Sequence, residues 1–140
     1  MNWIFFALLS AFFAALTAIL AKIGIKNVNS NLATAIRTIV ILIFAWGIVF
    51  YQGLHKQLPA LSKFSLIFLI LSGIATGLSW LFYFKALQLG PASRVSPIDK
   101  LSLVLTIILA AIFLKEKVTL PIFLGAVLMS LGAIIIGLSK

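Results

Sequence analysis

At 140 residues, 64% of them hydrophobic and only 9% charged, the chain sets 11 Lys+Arg against 2 Asp+Glu for a formal net charge of +9. A water-soluble domain is about 45–50% apolar and about 25% charged, so these residues cannot cover a water-facing surface and the solvent they suit is a bilayer. With no cysteine and one histidine, His55, disulfides, thiolate metal sites and cysteine nucleophiles are excluded, and a paired-carboxylate hydrolase or a His/carboxylate metal cage lacks its groups; neither enzyme chemistry nor a cofactor is expected.

Five apolar blocks follow in chain order, at residues 3–21, 32–51, 65–84, 97–114 and 120–138. Each approaches the roughly 20 residues that a helix needs to cross about 30 Å of hydrocarbon. None alternates with the two-residue period of a membrane β-barrel, so the expected fold is an all-α integral membrane protein of five transmembrane helices. In the first block Ala18 and Ala21 resemble a signal-peptidase site, but no basic segment precedes it and its apolar run exceeds the usual 7–15 residues. Residues 1–140 are therefore expected to form one transmembrane domain. Ala7, Ala11, Ala14, Ala18 and Ala21 recur at 4-3-4-3 spacing, which lays small side chains along one helical face for close packing.

The second block holds Arg37, five residues in from its start, roughly 7 Å at 1.5 Å per residue. A mid-membrane arginine costs at least about 2.5–3.5 kcal/mol. Two readings offset that cost: the side chain snorkels to the headgroups, or it faces a wet cavity where its fork suits a carboxylate or phosphate. The third block contains Gly73-x-x-x-Gly77 and aligns Gly73, Thr76, Trp80 and Tyr83 at 3-4-3. That face either lines a cavity or, for Trp80 and Tyr83, belongs to the interfacial aromatic belt.

The fourth block opens on Ser96-Pro97-Ile98-Asp99, where Ser caps, Pro takes the first helical position and Asp the third. Lys100 then lies in the first turn. Ser102 and Thr106 continue the face of Asp99, as path lining or as hydroxyls bonded to their own helix. Glu116 sits between Lys115 and Lys117 in a tight turn and reads as structural. In the fifth block, opened by Thr119-Leu120-Pro121, Ala126, Ser130, Ala133 and Gly137 repeat the small-residue device. The stripe meets either another span or a second chain.

Loops on the amino-terminal side carry Lys56, Lys63, Lys115 and Lys117; the opposite side carries Lys22, Lys26, Lys85, Arg94 and Lys140. Only when Arg37 and Lys100 are added does the positive-inside rule lean towards a cytoplasmic carboxy-terminus, so insertion in both directions is open. The charge is read as headgroup anchoring, with the bilayer rather than nucleic acid as partner. No acid is placed in the middle of a block, where a proton-coupled exporter of lipophilic cations needs one. The expected cargo is neutral, zwitterionic or anionic.

The run Leu71-Ser-Gly73-Ile-Ala-Thr-Gly77, Trp80-Leu-Phe-Tyr83-Phe-Lys85-Ala86-Leu87 and Gly90-Pro91-Ala92-Ser93-Arg94-Val95-Ser96-Pro97-Ile98 closely resembles EamA-type members of the drug/metabolite transporter superfamily. Leu114-Lys115-Glu116-Lys117-Val118-Thr119 is similar to that family's L-x-E-x-x-T turn, Gly125 and Gly132 fall where its last span carries glycines, and Arg37 falls where its second span often has arginine. The resemblance implies a small-molecule exporter or exchanger, with one five-span half where most members have two inverted halves. It further implies a path lined by the first four spans, and a fifth span that is peripheral or in a dimer contact. The related small multidrug proteins carry a first-span carboxylate that this chain lacks. Alternating access is commonly built from two repeats around a midplane site, and five spans cannot contain an inverted repeat, so a homodimer, antiparallel or parallel, is expected.

The resulting expectation is a multi-pass cell-membrane transporter, in the inner or plasma membrane, that moves a small polar metabolite. Arg37, Thr76, Trp80, Tyr83, Lys100, Ser102 and Thr106 would line its path, and Gly73, Gly77, Gly125 and Gly132 its close helix contacts. The alternative is a non-transporting assembly subunit or a subunit of a lipid-linked sugar flippase.

Overall fold

The computed structural model describes residues 2–139; Lys140, counted above among the cations, lies outside them. Five helical segments are long and apolar enough to cross a membrane: Trp3–Gly24, Ser30–Tyr51, Lys63–Leu89, Ala92–Leu114 and Leu120–Leu138. The described residues contain no strand. The protein is an all-α multi-pass membrane protein, and most of its large apolar side chains are exposed, which is what a lipid solvent requires.

Helix α1 (Trp3–Gly24) starts where the Asn2 side-chain oxygen accepts the Ile4 N–H at 3.2 Å. Helix α2 (Ser30–Tyr51) is capped by Asn29, whose side chain accepts the Asn31 N–H at 2.9 Å. Thr34 and Thr38 donate back to Ser30 and Thr34 carbonyls at 2.9 and 2.8 Å, the usual way a hydroxyl is satisfied inside a membrane helix. Gly53, at φ +69°, makes the left-handed step after α2 into a 3₁₀ segment, Leu54–Ala60. Helix α3 (Lys63–Leu89) follows Ser62, whose Oγ accepts the Ser65 N–H at 3.0 Å. At 27 residues it is about 40 Å long, two residues longer at its start and five at its end than apolar composition marks out.

The fourth crossing departs from expectation at its start. It begins at Ala92, not at Pro97, as helix α4 (Ala92–Asp99), followed by α5 (Leu101–Leu109) and a π-helical turn, Ala110–Leu114. Pro91 is extended (φ −70°, ψ 140°), and its carbonyl already accepts Arg94 and Val95 N–H groups at 3.0 Å each. Ser96 is therefore mid-helix and caps nothing. Pro97, in turn, stands inside the helix and cannot donate to Ser93. Three residues on, Lys100 has ψ −6° and accepts the Leu103 N–H in a tighter i→i−3 bond at 3.0 Å, separating α4 from α5. The crossing ends on Lys115, a left-handed residue at φ 55°, with Lys115 and Glu116 N–H groups both on the Ala110 carbonyl. Helix α6 (Leu120–Leu138) follows Thr119, with Pro121 in its first turn.

The chain divides into two compact units, Met1–Lys22 with Leu89–Lys140, and Ile23–Gln88. In the first, α6 packs on α4 and α5. A close approach occurs at Gly137, where a Cβ would stand 2.6 Å from Ile98 Cδ1. Ala126 and Ala133 are buried and Ser130, which donates to Ala126 at 2.8 Å, is half-buried. Lys22 Nζ donates to the Gly90 carbonyl at 2.7 Å. In the second unit Ile25, Ser30, Thr34, Phe84 and Leu87 are buried, and the Gln88 side chain donates to the Val28 carbonyl at 3.0 Å, tying the end of α3 to the chain before α2.

Candidate functional site

Arg37 is the eighth residue of α2, about 10 Å along the helix from Ser30. A guanidinium at that depth needs partners, and α3 provides two. Its Cζ lies 4.3 Å from the centroid of the Phe84 ring and 5.5 Å from that of Trp80. Trp80 and Phe84 are one helical turn apart on the same face of α3, so their two rings together give the cation an aromatic floor. Phe84 is almost wholly buried at 1% exposure and holds the floor in place. Arg37 itself is half-buried. Its Nη1 is buried and has no hydrogen-bond partner among the described residues. Stacking satisfies the face of the guanidinium but leaves in-plane N–H donors free, and a planar fork with free donors matches a carboxylate or phosphate.

Of the other residues expected on α3, Tyr83 meets this floor, whereas Thr76 and Gly73 lie about one and two turns before Trp80 along the helix. Tyr83, half-buried, sets its ring edgewise to Phe84 at 6.0 Å between centroids. Thr76, exposed and one turn before Trp80, donates to the Ser72 carbonyl at 2.9 Å, so its hydroxyl hydrogen is committed to its own helix. Gly73 is exposed and Gly77 half-buried; a Cβ at either would meet nothing within 4 Å among the described residues. Phe84, the last residue of the third apolar block, lies outside the 3-4-3 face of Gly73, Thr76, Trp80 and Tyr83, yet its ring is the nearer one to Arg37. The signal was present in the four-residue spacing Thr76, Trp80, Phe84, an aromatic continuation of the Trp80 face.

Lys100, Ser102 and Thr106 belong to the other compact unit. Because the helix starts at Ala92, Lys100 is eight residues past its start and not in the first turn. Its Nζ lies 3.3 Å from Asp99 Oδ2, an ion pair between adjacent residues with both side chains partly exposed. Asp99 is correspondingly the last residue of α4 and not the third residue of a capped helix. Thr106 donates to the Ser102 carbonyl at 2.8 Å, and both residues are exposed.

Among the small residues, Ala14 is exposed, while Ala18 and Ala21 are buried. Gly125 and Gly132 are half-buried, and a Cβ on either would meet nothing within 4 Å among the described residues. Gly137 differs from Gly125 and Gly132 in that its missing side chain permits a close approach, to Ile98. No group of three or more metal-ligating side chains occurs among the described residues.

The profile of the EamA-like transporter family matches residues 1–138. Among curated proteins, the chain is 48% identical over 135 residues to an uncharacterized transporter of a Sinorhizobium species, covering 96% of each chain. It is 34% identical over 86 residues to a probable 4-amino-4-deoxy-L-arabinose-phosphoundecaprenol flippase subunit of Hamiltonella defensa, covering 61% of this chain and 78% of that one. It is 30% identical over 138 residues to an uncharacterized transporter of Synechocystis, covering 93% of this chain but 38% of that protein. No solved structure matches the chain.

Proposed function

The chain belongs to the EamA-like transporter family, and from that membership we propose that this membrane transporter moves a small polar, zwitterionic or anionic metabolite by alternating access. One observation carries the choice of cargo: the Arg37 guanidinium, stacked on Phe84 and Trp80, keeps a buried Nη1 without a partner. A negatively charged or strongly dipolar solute group fills that need. The aromatic floor keeps the cation from turning away, so arriving solute meets a donor fork already oriented.

A second copy completes the carrier. Five crossings are an odd number, and two copies in opposite orientation would generate the inverted pair from which alternating access is commonly built. The alignment of nearly this whole chain to 38% of the Synechocystis relative supports a unit that works as one part of a larger carrier. The inner or plasma membrane is the proposed location.

Proteoliposomes containing only this protein test the reading. A panel of labelled amino acids, organic acids and sugar phosphates is offered for uptake or counterflow. At least one acidic or zwitterionic member should enter saturably, and Arg37→Ala should abolish that entry while the protein remains folded. If no member enters in the wild-type protein, the reading fails.

The flippase-subunit name of the Hamiltonella relative favours a second reading, in which the cargo is a lipid-linked sugar and the phosphate of the lipid takes the place of the solute carboxylate. That reading expects activity only when a different partner chain is present. Activity of the protein alone would count against it.

A further inference from the structure

An apolar groove of about 410 Å³ runs between α5 and α6. Ile108 and Ala111 line one side, Ala126 and Val127 the other, and Val118 lies in the turn at its end. The hydroxyl of Ser130, which also reaches the groove, already donates to Ala126. The lining therefore offers no free donor to a polar guest. From Val104 to Ile112 the groove follows α5 and the π-helical turn after it for about 12 Å. That is close to the depth of one leaflet in a hydrocarbon core of about 30 Å.

Immediately before Val118 stand Lys117 and Lys115, both exposed, and neither makes a hydrogen bond or ion pair through its side chain with the described residues. With Glu116 between them, the turn carries a net single positive charge. Lys115, at φ 55°, and Glu116 both donate backbone N–H groups to the Ala110 carbonyl, so the cationic turn is fixed relative to the groove end.

We propose that this groove and turn form a binding site for one anionic phospholipid, with an acyl chain in the groove and the phosphate at Lys115 and Lys117. A membrane helix pair is bathed in acyl chains, and an apolar cleft one leaflet deep below a headgroup-level cation matches both ends of such a molecule. Charge complementarity selects lipid over a second copy of the chain. A second copy has only two acids to offer, Asp99 already beside Lys100 and Glu116 in the equivalent cationic turn.

Native mass spectrometry of the purified protein tests this, after exchange into mixed micelles of phosphatidylglycerol and phosphatidylcholine with identical chains. The wild-type protein should retain phosphatidylglycerol about fivefold over phosphatidylcholine, the preference one net surface charge provides. The Lys115→Gln/Lys117→Gln pair should lose that preference while still retaining a lipid. Val127→Trp, which fills the groove, should lose both lipids; Ile108→Phe serves the same purpose if Val127→Trp does not fold by circular dichroism. Equal retention of the two lipids by the wild-type protein would overturn the proposal, as would unchanged retention by a folded groove-filling variant. So would a lipid-free dimer that a groove-filling variant converts to monomer.

Discussion

The Gly137 contact gives the most quantitative test of how the fourth and fifth crossings are held together. A methyl placed on Gly137 would stand 2.6 Å from Ile98 Cδ1 and 2.9 Å from Ile98 Cγ1, where carbon atoms prefer about 3.5–4.0 Å. Rotating χ2 of Ile98 clears Cδ1. Cγ1 moves only with χ1, which is stiff for a β-branched residue in a helix, or with the helix axis itself. Overpacking of this kind costs about 1–3 kcal/mol, and the better helix propensity of Ala returns at most about 1 kcal/mol. Gly137 is the penultimate residue of α6, where that return is smaller, so Gly137→Ala should destabilise by about 1–2 kcal/mol. Ile98→Ala removes both crowded carbons, and in its background Gly137→Ala should cost almost nothing. The double-mutant coupling should accordingly approach about 1–2 kcal/mol. Reversible sodium dodecyl sulfate titration in mixed micelles, followed by tryptophan fluorescence, measures all four stabilities. Wild-type stability in Gly137→Ala, with no coupling to Ile98, would refute the close approach of α4 and α6.

Three further outcomes follow from particular residues. Lys115→Gly should stabilise the protein by about 1 kcal/mol in the same titration because glycine adopts φ 55° without the Cβ penalty, whereas Lys115→Val should destabilise it; the reverse order would contradict the left-handed turn. Phe84→Leu removes the nearer ring beneath Arg37 and should weaken apparent solute affinity about 2- to 30-fold, the range expected from cation–π energies of about 0.5–2 kcal/mol, and an unchanged KM for uptake would argue against the floor. A single cysteine at Leu54, in the exposed 3₁₀ segment after α2, should be labelled by impermeant maleimide from both sides of the membrane if copies insert in opposite directions. One-sided labelling would defeat the antiparallel dimer.

Composition and hydropathy were enough to recover all five crossings, because a solvent without hydrogen-bonding capacity leaves a hydrophobic segment little choice but a helix. The bounds were less legible where polar residues continue a helix beyond the apolar core. Gln88 extends α3 by bonding to Val28, a partner 60 residues away that no local pattern reveals. The Ser96-Pro97-Ile98-Asp99 run has the spacing of a helix start, yet Gly90-Pro91 had already started the helix, and Pro97 became an internal break. At the site, the depth of Arg37 and the aromatic character of its facing helix were readable. Which ring lay beneath it depended on how α2 and α3 meet, and that selected Phe84 over Tyr83. The close approach at Gly137 was one of several small-residue positions that look alike in sequence, and only the position of Ile98 distinguishes it.

The central claim, that Arg37 takes the charged group of the passing solute, is tested most directly by nitrogen-15 spectra of arginine-labelled protein in bicelles. The chain has two arginines, Arg37 and Arg94, so assignment needs a single substitution. Titrating a transported solute should shift the Arg37 guanidinium signals with a midpoint at the transport half-saturation concentration and leave those of Arg94 in place. Arg37 signals that stay fixed while the protein transports that solute would contradict the claim.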